Sequence, residues 1–459
     1  MPRPSRSRWK TLALWSIPVL AVLALGGILV ARSAIDAYLR SERFRAFLAQ
    51  KAGKTLDAEA EIAPLHFDTS RIYTDSFAAR GRTAAKFSTL QVEGLRAELS
   101  WSRFFQQVWQ VDQLDVQRVR VDLGDARIEV PEVLARPAQE RQAAAAENRS
   151  TWLPDRVEIG TATIRDAQLL WPGGALRGTA LQGRMLDGAW KIEGTGGTIE
   201  HGALPPLAVQ RLDLAFREHS LFVKNAEFHQ GESGIVTADG EVDFDERLNL
   251  HAVLRNVALT PWLAGDWRLR LRGDASGEVD IRSAMPLRGT PEISGKLSLA
   301  NGQLEALPVL NEIAAFTKTQ QFRKLALSRA SCDFTQRNDA LTVRNFVAES
   351  EGLIRIEGAF VVAKSTIDGT FQVGVTPASL QWLPGSQARV FTESRGGYLW
   401  APMRLAGPLN SPNEDLTPRL IAAAGNEVIE QVGGAVKDAT KTMKDVTSGA
   451  LDLLFGPAK

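Results

Sequence analysis

The feature that most constrains this chain is a serial alternation of apolar and polar residues, with almost no helical periodicity between the runs. Leu90 and Val92, then Leu95, Ala97 and Leu99, alternate with polar neighbours, and Val116, Val119 and Val121 follow. The pattern returns at Leu212, Leu214 and Phe216, and again at Leu248, Leu250, Ala252 and Leu254. It recurs at Val279 and Ile281, Leu297 and Leu299, Ile354 and Ile356, and Phe371, Val373 and Val375. Its sharpest instance is Trp267-Arg268-Leu269-Arg270-Leu271-Arg272, which reads as a strand with one apolar and one basic face. Successive side chains of a strand point to opposite sides, so period two predicts strands buried on one face only. Turn signals such as Gly273-Asp274, Gly289-Thr290-Pro291, Asn301-Gly302 and Asp368-Gly369 separate the runs. A parallel sheet would need a crossover between most strands, usually a helix, and those helices are missing. The expected fold is therefore mainly β: a long, curved, mostly antiparallel repetitive sheet.

A sheet with one apolar face must bury it. It can pack against a second sheet as an ordinary sandwich, or curl into an open, taco-like groove with an apolar lining. In a groove, acyl chains would lie on the lining while their headgroups stay in water, each buried methylene contributing about 0.8 kcal/mol. The lining positions on this reading are Leu269, Leu271, Val279, Ile281, Leu297, Leu299, Ile354, Ile356, Phe371, Val373 and Val375. A slip of one residue would turn every one of them to the other face.

The alternating region sits behind a different kind of segment. Thr11 to Ala31 is a run of 21 residues without a charge. As a helix it would be ~32 Å long, enough to cross a hydrocarbon core of ~30 Å. Arg3, Arg6, Arg8 and Lys10 precede it with no acid among them, which predicts a cytoplasmic N-terminus and an uncleaved single-pass anchor. Residues 32–134 are read as an amphipathic helix that stops near Gly53, followed by a first β segment. Residues 135–150, rich in Ala, Gln, Glu and Arg, are read as a linker, and residues 151–416 as the main β-groove segment. Within it, 308–317 is a short helix opened by Pro308. Residues 417–459 predict an amphipathic helix with Thr417 as N-cap and Pro418 in its first turn, its apolar face carrying Ile421, Val428, Val432, Val436, Ala439, Met443 and Val446.

Charge and motifs narrow the function classes. Lys and Arg number 54 against 53 Asp and Glu, and without the four N-terminal cations the remainder stands at 50 against 53. A nucleic-acid binder would need a basic surface to displace counterions, so that class is set aside. One cysteine, Cys332, excludes an intramolecular disulfide framework and a Cys-based zinc cluster, and no cofactor is expected. The five histidines, His66, His201, His219, His229 and His251, form no H-E-x-x-H pattern, and no nucleophile elbow or phosphate-binding loop appears. Asp243 with Asp245, and Glu278 with Asp280, share the water-facing side of strands and do not read as a catalytic pair. The 11 tryptophans are scattered and lack the flanking carboxylates of a carbohydrate-active site. The expectation is a protein without enzymatic activity.

Several stretches resemble one family. Arg43-Phe44-Arg45 opens a helix behind the uncharged run, strands of the kind Leu90-Gln91-Val92-Glu93-Gly94-Leu95 follow, and Trp152-Leu153-Pro154 opens the second half. Residues 295–311, GKLSLANGQLEALPVLN, are similar to the G-x-L-x-L-x-x-G-x-L strand and short helix of the AsmA-like family. Leu353-Ile354-Arg355-Ile356-Glu357-Gly358 and Arg404-Leu405-Ala406-Gly407-Pro408-Leu409-Asn410-Ser411-Pro412 resemble its closing strands. The similarity is strongest from about 248 to 416. It implies a protein anchored in the inner membrane of a Gram-negative-type envelope, with a periplasmic β-groove related to bridge-like lipid-transfer proteins. Its expected partners are phospholipid acyl chains, the inner membrane and an envelope protein docked through the C-terminal helix. The implied role is phospholipid transport and outer-membrane integrity. A scaffold that assists outer-membrane protein assembly or tethers envelope layers is the alternative.

Overall fold

The computed structural model describes residues 41–424, save for residues 69, 84, 101–107, 125–155, 203, 219, 244–246, 264–266, 285–289, 306–323, 382–385 and 409–411. The expected anchor at 11–31, the linker at 135–150, the short helix at 308–317, Trp152-Leu153-Pro154 and the C-terminal helix beyond Ala424 lie outside these residues. Among the described residues, no helix is long and apolar enough to cross a membrane. The chain divides into two compact units, Met1–Pro172 with Ala180–Met185, and Gly173–Thr179 with Leu186–Lys459. Both are dominated by antiparallel strands.

In the first unit, helix α1 (Glu42–Leu56) is capped by Ser41, whose hydroxyl accepts from the Phe44 N–H at 3.2 Å. The sequence places the helix end near Gly53, but the helix runs three residues further. Asp57, at φ 48°, closes it by donating its N–H to the Gly53 carbonyl. Gly53 serves a different purpose, since a Cβ there would lie 2.6 Å from the Ala58 carbonyl oxygen. Phe44 is fully buried against Trp109 and Phe67, with ring centroids 5.7 and 6.4 Å away. Phe47 and Leu48, three and four residues on, complete the same helix face.

The strands of this unit are β1 (Ala58–Ile62), β2 (Leu65–Asp68), β3 (Arg71–Gly81), β4 (Thr89–Ser100), β5 (Val108–Asp122) and β6 (Arg156–Trp171). β1 and β2 both pair with β3, and β3–β4–β5 continue antiparallel. β5 and β6 are the exception, running parallel from Val108↔Arg156 to Asp122↔Leu170. Arg118 marks this junction. Its guanidinium reaches Asp166 on β6 at 2.7 Å and Glu93 on β4 at 2.9 Å, and these two carboxylates hold its pKa above the usual arginine value.

The second unit is a long antiparallel meander. β7 (Gly174–Leu186) is divided, with residues 180–185 counted in the first unit; the strands wholly in the second are β8 (Ala189–Thr195), β9 (Thr198–His201), β10 (Leu207–Arg217), β11 (Ser220–Gln230), β12 (Gly234–Asp243), β13 (Leu248–Ala258), β14 (Leu271–Ser283) and β15 (Glu292–Glu305). They continue as β16 (Lys324–Leu327), β17 (Arg329–Arg337), β18 (Ala340–Ser350), β19 (Ile354–Ala363), β20 (Thr366–Val375), β21 (Glu393–Arg395), β22 (Tyr398–Pro408) and β23 (Asn413–Glu414). From β10 to β15 each strand pairs with the next; β15 pairs with both β16 and β17; and β17–β18–β19–β20–β22 completes the sheet.

Two sequence expectations are corrected here. Trp267–Arg270 is a turn of helix, α2, and β14 begins only at Leu271, the first residue with a ladder partner, Leu304. Before that point the chain returns from β13 through a 3₁₀ turn at Thr260–Trp262, and Arg268 hydrogen-bonds the Leu263 carbonyl. With no ladder partner among the described residues, local bonds override the alternating pattern. At the other end, after a short helix α3 (Ser386–Arg389), helix α4 spans Leu416–Ala424. It starts before Thr417, because the Glu414 carboxylate accepts the Leu416 and Thr417 N–H groups at 2.7 and 2.9 Å. An acid at the helix start serves as the cap expected of the threonine.

Glycines let aromatic rings lie flat across the sheet. A Cβ on Gly358 would come within 2.5 Å of the Phe371 ring and of the Thr370 carbonyl oxygen. Gly358→Val is expected to destabilise the second unit by about 1–3 kcal/mol through overpacking. A lowered urea midpoint in far-UV circular dichroism would show it; an unchanged midpoint would refute the close-approach role.

Candidate functional site

Cross-strand partners in a ladder share a face, so the register fixes which side chains stand together. One line runs Leu250, Ile281, Ile293 across β13, β14 and β15. A second runs Val236, Leu254, Gly277, Leu297 and Cys332 across β12 to β17. A third runs Val279, Gly295, Phe334, Val343 and Phe360. Beyond these, Ile356 pairs with Val373 and Val373 with Ala401, while Ile354 pairs with Val375 and Phe371 with Met403. Of the eleven positions expected to line a groove, the ten on strands thus fall on one apolar face. Leu269 does not join them: it is on α2 and 68 % exposed.

This face is covered unevenly. At its C-terminal end, Ile354, Val373 and Val375 are buried with Leu380, Val390, Phe391, Ala401, Leu416 and Ala423. The 3₁₀ turn Pro377–Leu380, α3 and α4 close over the sheet there. Phe346, Phe360 and Phe371 form an aromatic trio beside this core, with ring centroids 5.9 to 6.3 Å apart. Further back, Leu250, Val279, Ile281, Ile293, Leu297 and Leu299 are only half-buried. Among the described residues, the large clusters of buried side chains are the one at this C-terminal end and the one around Phe44 in the first unit.

Sequence periodicity missed the apolar positions that follow an irregularity in the ladder. The register slips between Val223 and Ala226, Leu254 and Val257, and Val343 and Phe346, so inward residues stand three apart. In each slip two exposed residues, Lys224-Asn225, Arg255-Asn256 or Arg344-Asn345, precede a residue turned back to the apolar face. Asn256, Asn301 and Asn345 have φ near the left-handed region, at 50°, 52° and 50°. Asn301 and Asn345 bond Asp274 and Asp333 on neighbouring strands, at 3.0 and 2.7 Å. An asparagine after an exposed residue inside a strand was the available signal, because Asn tolerates that conformation better than most residues.

The opposite face is charged. Glu278, Lys296, Asp333 and Arg344 stand in one cross-strand row of alternating sign. Glu357 accepts from Arg355 and Arg395; burial alone would raise its pKa, but the two guanidiniums hold it below the usual carboxylate range. A depression of about 980 Å³ is lined chiefly by this face, including Glu278, Lys296, Asp333 and Arg344. Cys332 faces the apolar side, and burial raises its thiol pKa, which disfavours the reactive thiolate. Among the described residues, no three His, Cys, Asp or Glu side chains are grouped as a metal site would require.

No family model, curated protein or solved structure matches the chain.

On the charged face His251 Nδ1 lies 3.0 Å from Asp280 Oδ1, directly across the β13–β14 ladder. That hydrogen bond raises the His251 pKa, with Asp239 and Glu278 adding to it against a smaller desolvation effect. In NMR titration His251 should lose its proton above the ordinary value of about 6.5, and Asp280→Asn should lower its pKa. Since the folded-state pKa is the higher one, the pair's stabilisation is complete below about pH 6.5 and is lost as pH rises through the folded value.

Proposed function

We propose that the apolar face of the second unit's sheet binds acyl chains, and that this is a periplasmic protein anchored in the inner membrane that contributes to phospholipid transport and outer-membrane integrity. The observation that carries the reading is the half-buried stretch from Leu250 to Leu299. A two-sheet sandwich would bury both inner faces, whereas here a row of Leu, Ile and Val has no apolar layer over it among the described residues. A row of this kind is sticky towards flexible hydrocarbon and offers no group to react with it. Binding would be driven by burial, without covalent chemistry.

Two sequence features support the placement. The uncharged run 11–31, preceded by four cations and no acid, fits a single-pass anchor with the bulk of the chain outside the cytoplasm. The resemblance of 295–311 and 353–358 to the AsmA-like family fits the same picture. The start of the C-terminal helix bears on the partner question: Leu416 and Ala423 are committed to the core, so docking through that helix would fall to residues beyond Ala424.

The test is to purify the full chain and identify co-purifying lipid by extraction and mass spectrometry. Stoichiometric phospholipid in the wild type is expected, with loss in Leu299→Asp at unchanged far-UV circular dichroism. A lipid-free wild type, unfolded by Leu299→Asp, would mean that the face is closed by the protein itself. A lipid-free wild type that retains a protein partner instead would favour the envelope scaffold.

A further inference from the structure

Where the strands β13, β14, β15 and β17 reach the same edge of the sheet, arginines gather. Arg282 on β14 has Asn249 on β13 and Glu292 on β15 as its cross-strand partners. Arg337, the last residue of β17, donates to Glu292 Oε1 at 2.9 Å. Arg247 lies immediately before β13, and its carboxylate contact among the described residues is Glu241 at 4.0 Å. The three guanidinium groups line one depression of about 800 Å³, together with Asn249, Thr290 and Glu292. Among the described residues Glu292 is the only carboxylate lining it, and it is engaged by Arg337. Arg282 makes no ion pair or side-chain hydrogen bond within the described residues.

This balance differs from the rest of the charged face. The larger depression around Lys296 sets three cations, Lys296, Arg329 and Arg344, against three acids, Glu278, Asp333 and Glu357. At the strand ends the described residues give three arginines and one occupied acid. An arginine fork matches the paired oxygens of a phosphate, and a free guanidinium beside a paired one leaves donors to spare.

The position carries a further consequence. Leu248 lines the same depression, and its ladder partner is Ser283. Leu250 and Ile281 follow two residues in on that same face, at the start of the half-buried stretch. An anion held at this edge is therefore beside the apolar lining. We propose that Arg247, Arg282 and Arg337 form a phosphate-binding site at the rim of the sheet, suited to a phosphoester whose hydrocarbon lies on the apolar face. The choice of a lipid phosphoester rests on the acyl-chain reading; the anion site itself does not.

The experiment measures binding to the full chain in dodecyl maltoside by calorimetry, with three probes: dioctanoylphosphatidylglycerol, dioctanoylglycerol and inorganic phosphate. The phosphatidylglycerol should bind at least tenfold more tightly than the phosphate-free diacylglycerol. Arg282→Gln should remove that difference while leaving diacylglycerol binding and far-UV circular dichroism unchanged. Glu292→Gln should shift affinity the other way, because it removes the one acid among the described lining residues and frees Arg337. Added salt should weaken the preference. Arginine-dependent binding of inorganic phosphate without either lipid would keep the anion site and overturn its lipid ligand along with the acyl-chain reading. Equal binding of the two lipids, unmoved by either variant, would overturn the phosphate site and leave acyl-chain binding standing. Failure of all three probes to bind would overturn both.

Discussion

Everything in the second unit depends on one constraint: a strand can satisfy its backbone N–H and C=O groups only against the strands beside it. From β10 to β22 that requirement is met by antiparallel neighbours, and the register of each pair fixes the face of every side chain. The sequence then has a single decision left at each position, apolar or polar. Because Ile281 pairs with Ile293, and Leu297 with Cys332, the decision made on one strand is inherited by the next. A face of uniform character follows from local pairing alone, without any contact between distant parts of the unit.

The slips in the ladder are part of this arrangement. An extra residue in a strand would, if left alone, turn everything after it to the wrong side. At Arg255-Asn256 and Arg344-Asn345 the two exposed residues absorb the extra length, and Val257 and Phe346 return to the apolar face. Bulges of this sort also increase local twist. The charged face works to the same end: Lys296 opposite Glu278 and Asp333, or Arg337 bonded to Glu292, contributes little stability as an exposed pair. Their value is in register, since a shifted pairing would set like charges together and drive apolar residues into water.

This explains why the strands, and the shared face of ten of the expected positions on them, were legible in the sequence. Period two is a local signal, and an antiparallel meander with short turns adds nothing that local signals cannot carry. What was not legible depended on neighbours. Trp267–Arg270 has the pattern of a strand, yet it has no ladder partner among the described residues, and the backbone closes on itself as a helical turn. Gly53 looks like a helix stop, but its neighbour Ala58 is what requires the missing side chain. The parallel pairing of β5 with β6 had no sequence mark, because a strand's own residues do not state which way its neighbour runs. The arginines at the rim escaped for the same reason: Arg247, Arg282 and Arg337 are far apart in sequence and meet only once four strands are laid side by side.

The uneven covering of the apolar face has an equally simple origin. A meander of strands supplies no material for a second layer; only a departure from it does. Between β20 and β22 the chain makes such a departure, and Leu380, Val390 and Phe391 from it fold over Ile354, Val373 and Val375. Leu416 and Ala423 of the following helix add to the same cover. From β10 to β14 the described residues of the excursion between β13 and β14, Thr260–Trp262 with α2, add nothing to that core, and Leu269 among them stays exposed. At roughly 25 cal/mol per Å² of apolar surface, leaving each leucine or isoleucine half-covered costs a fraction of what full burial would return. Repeated along several strands, that unrealised burial is the free energy that, on the proposed acyl-chain reading, a hydrocarbon guest would recover.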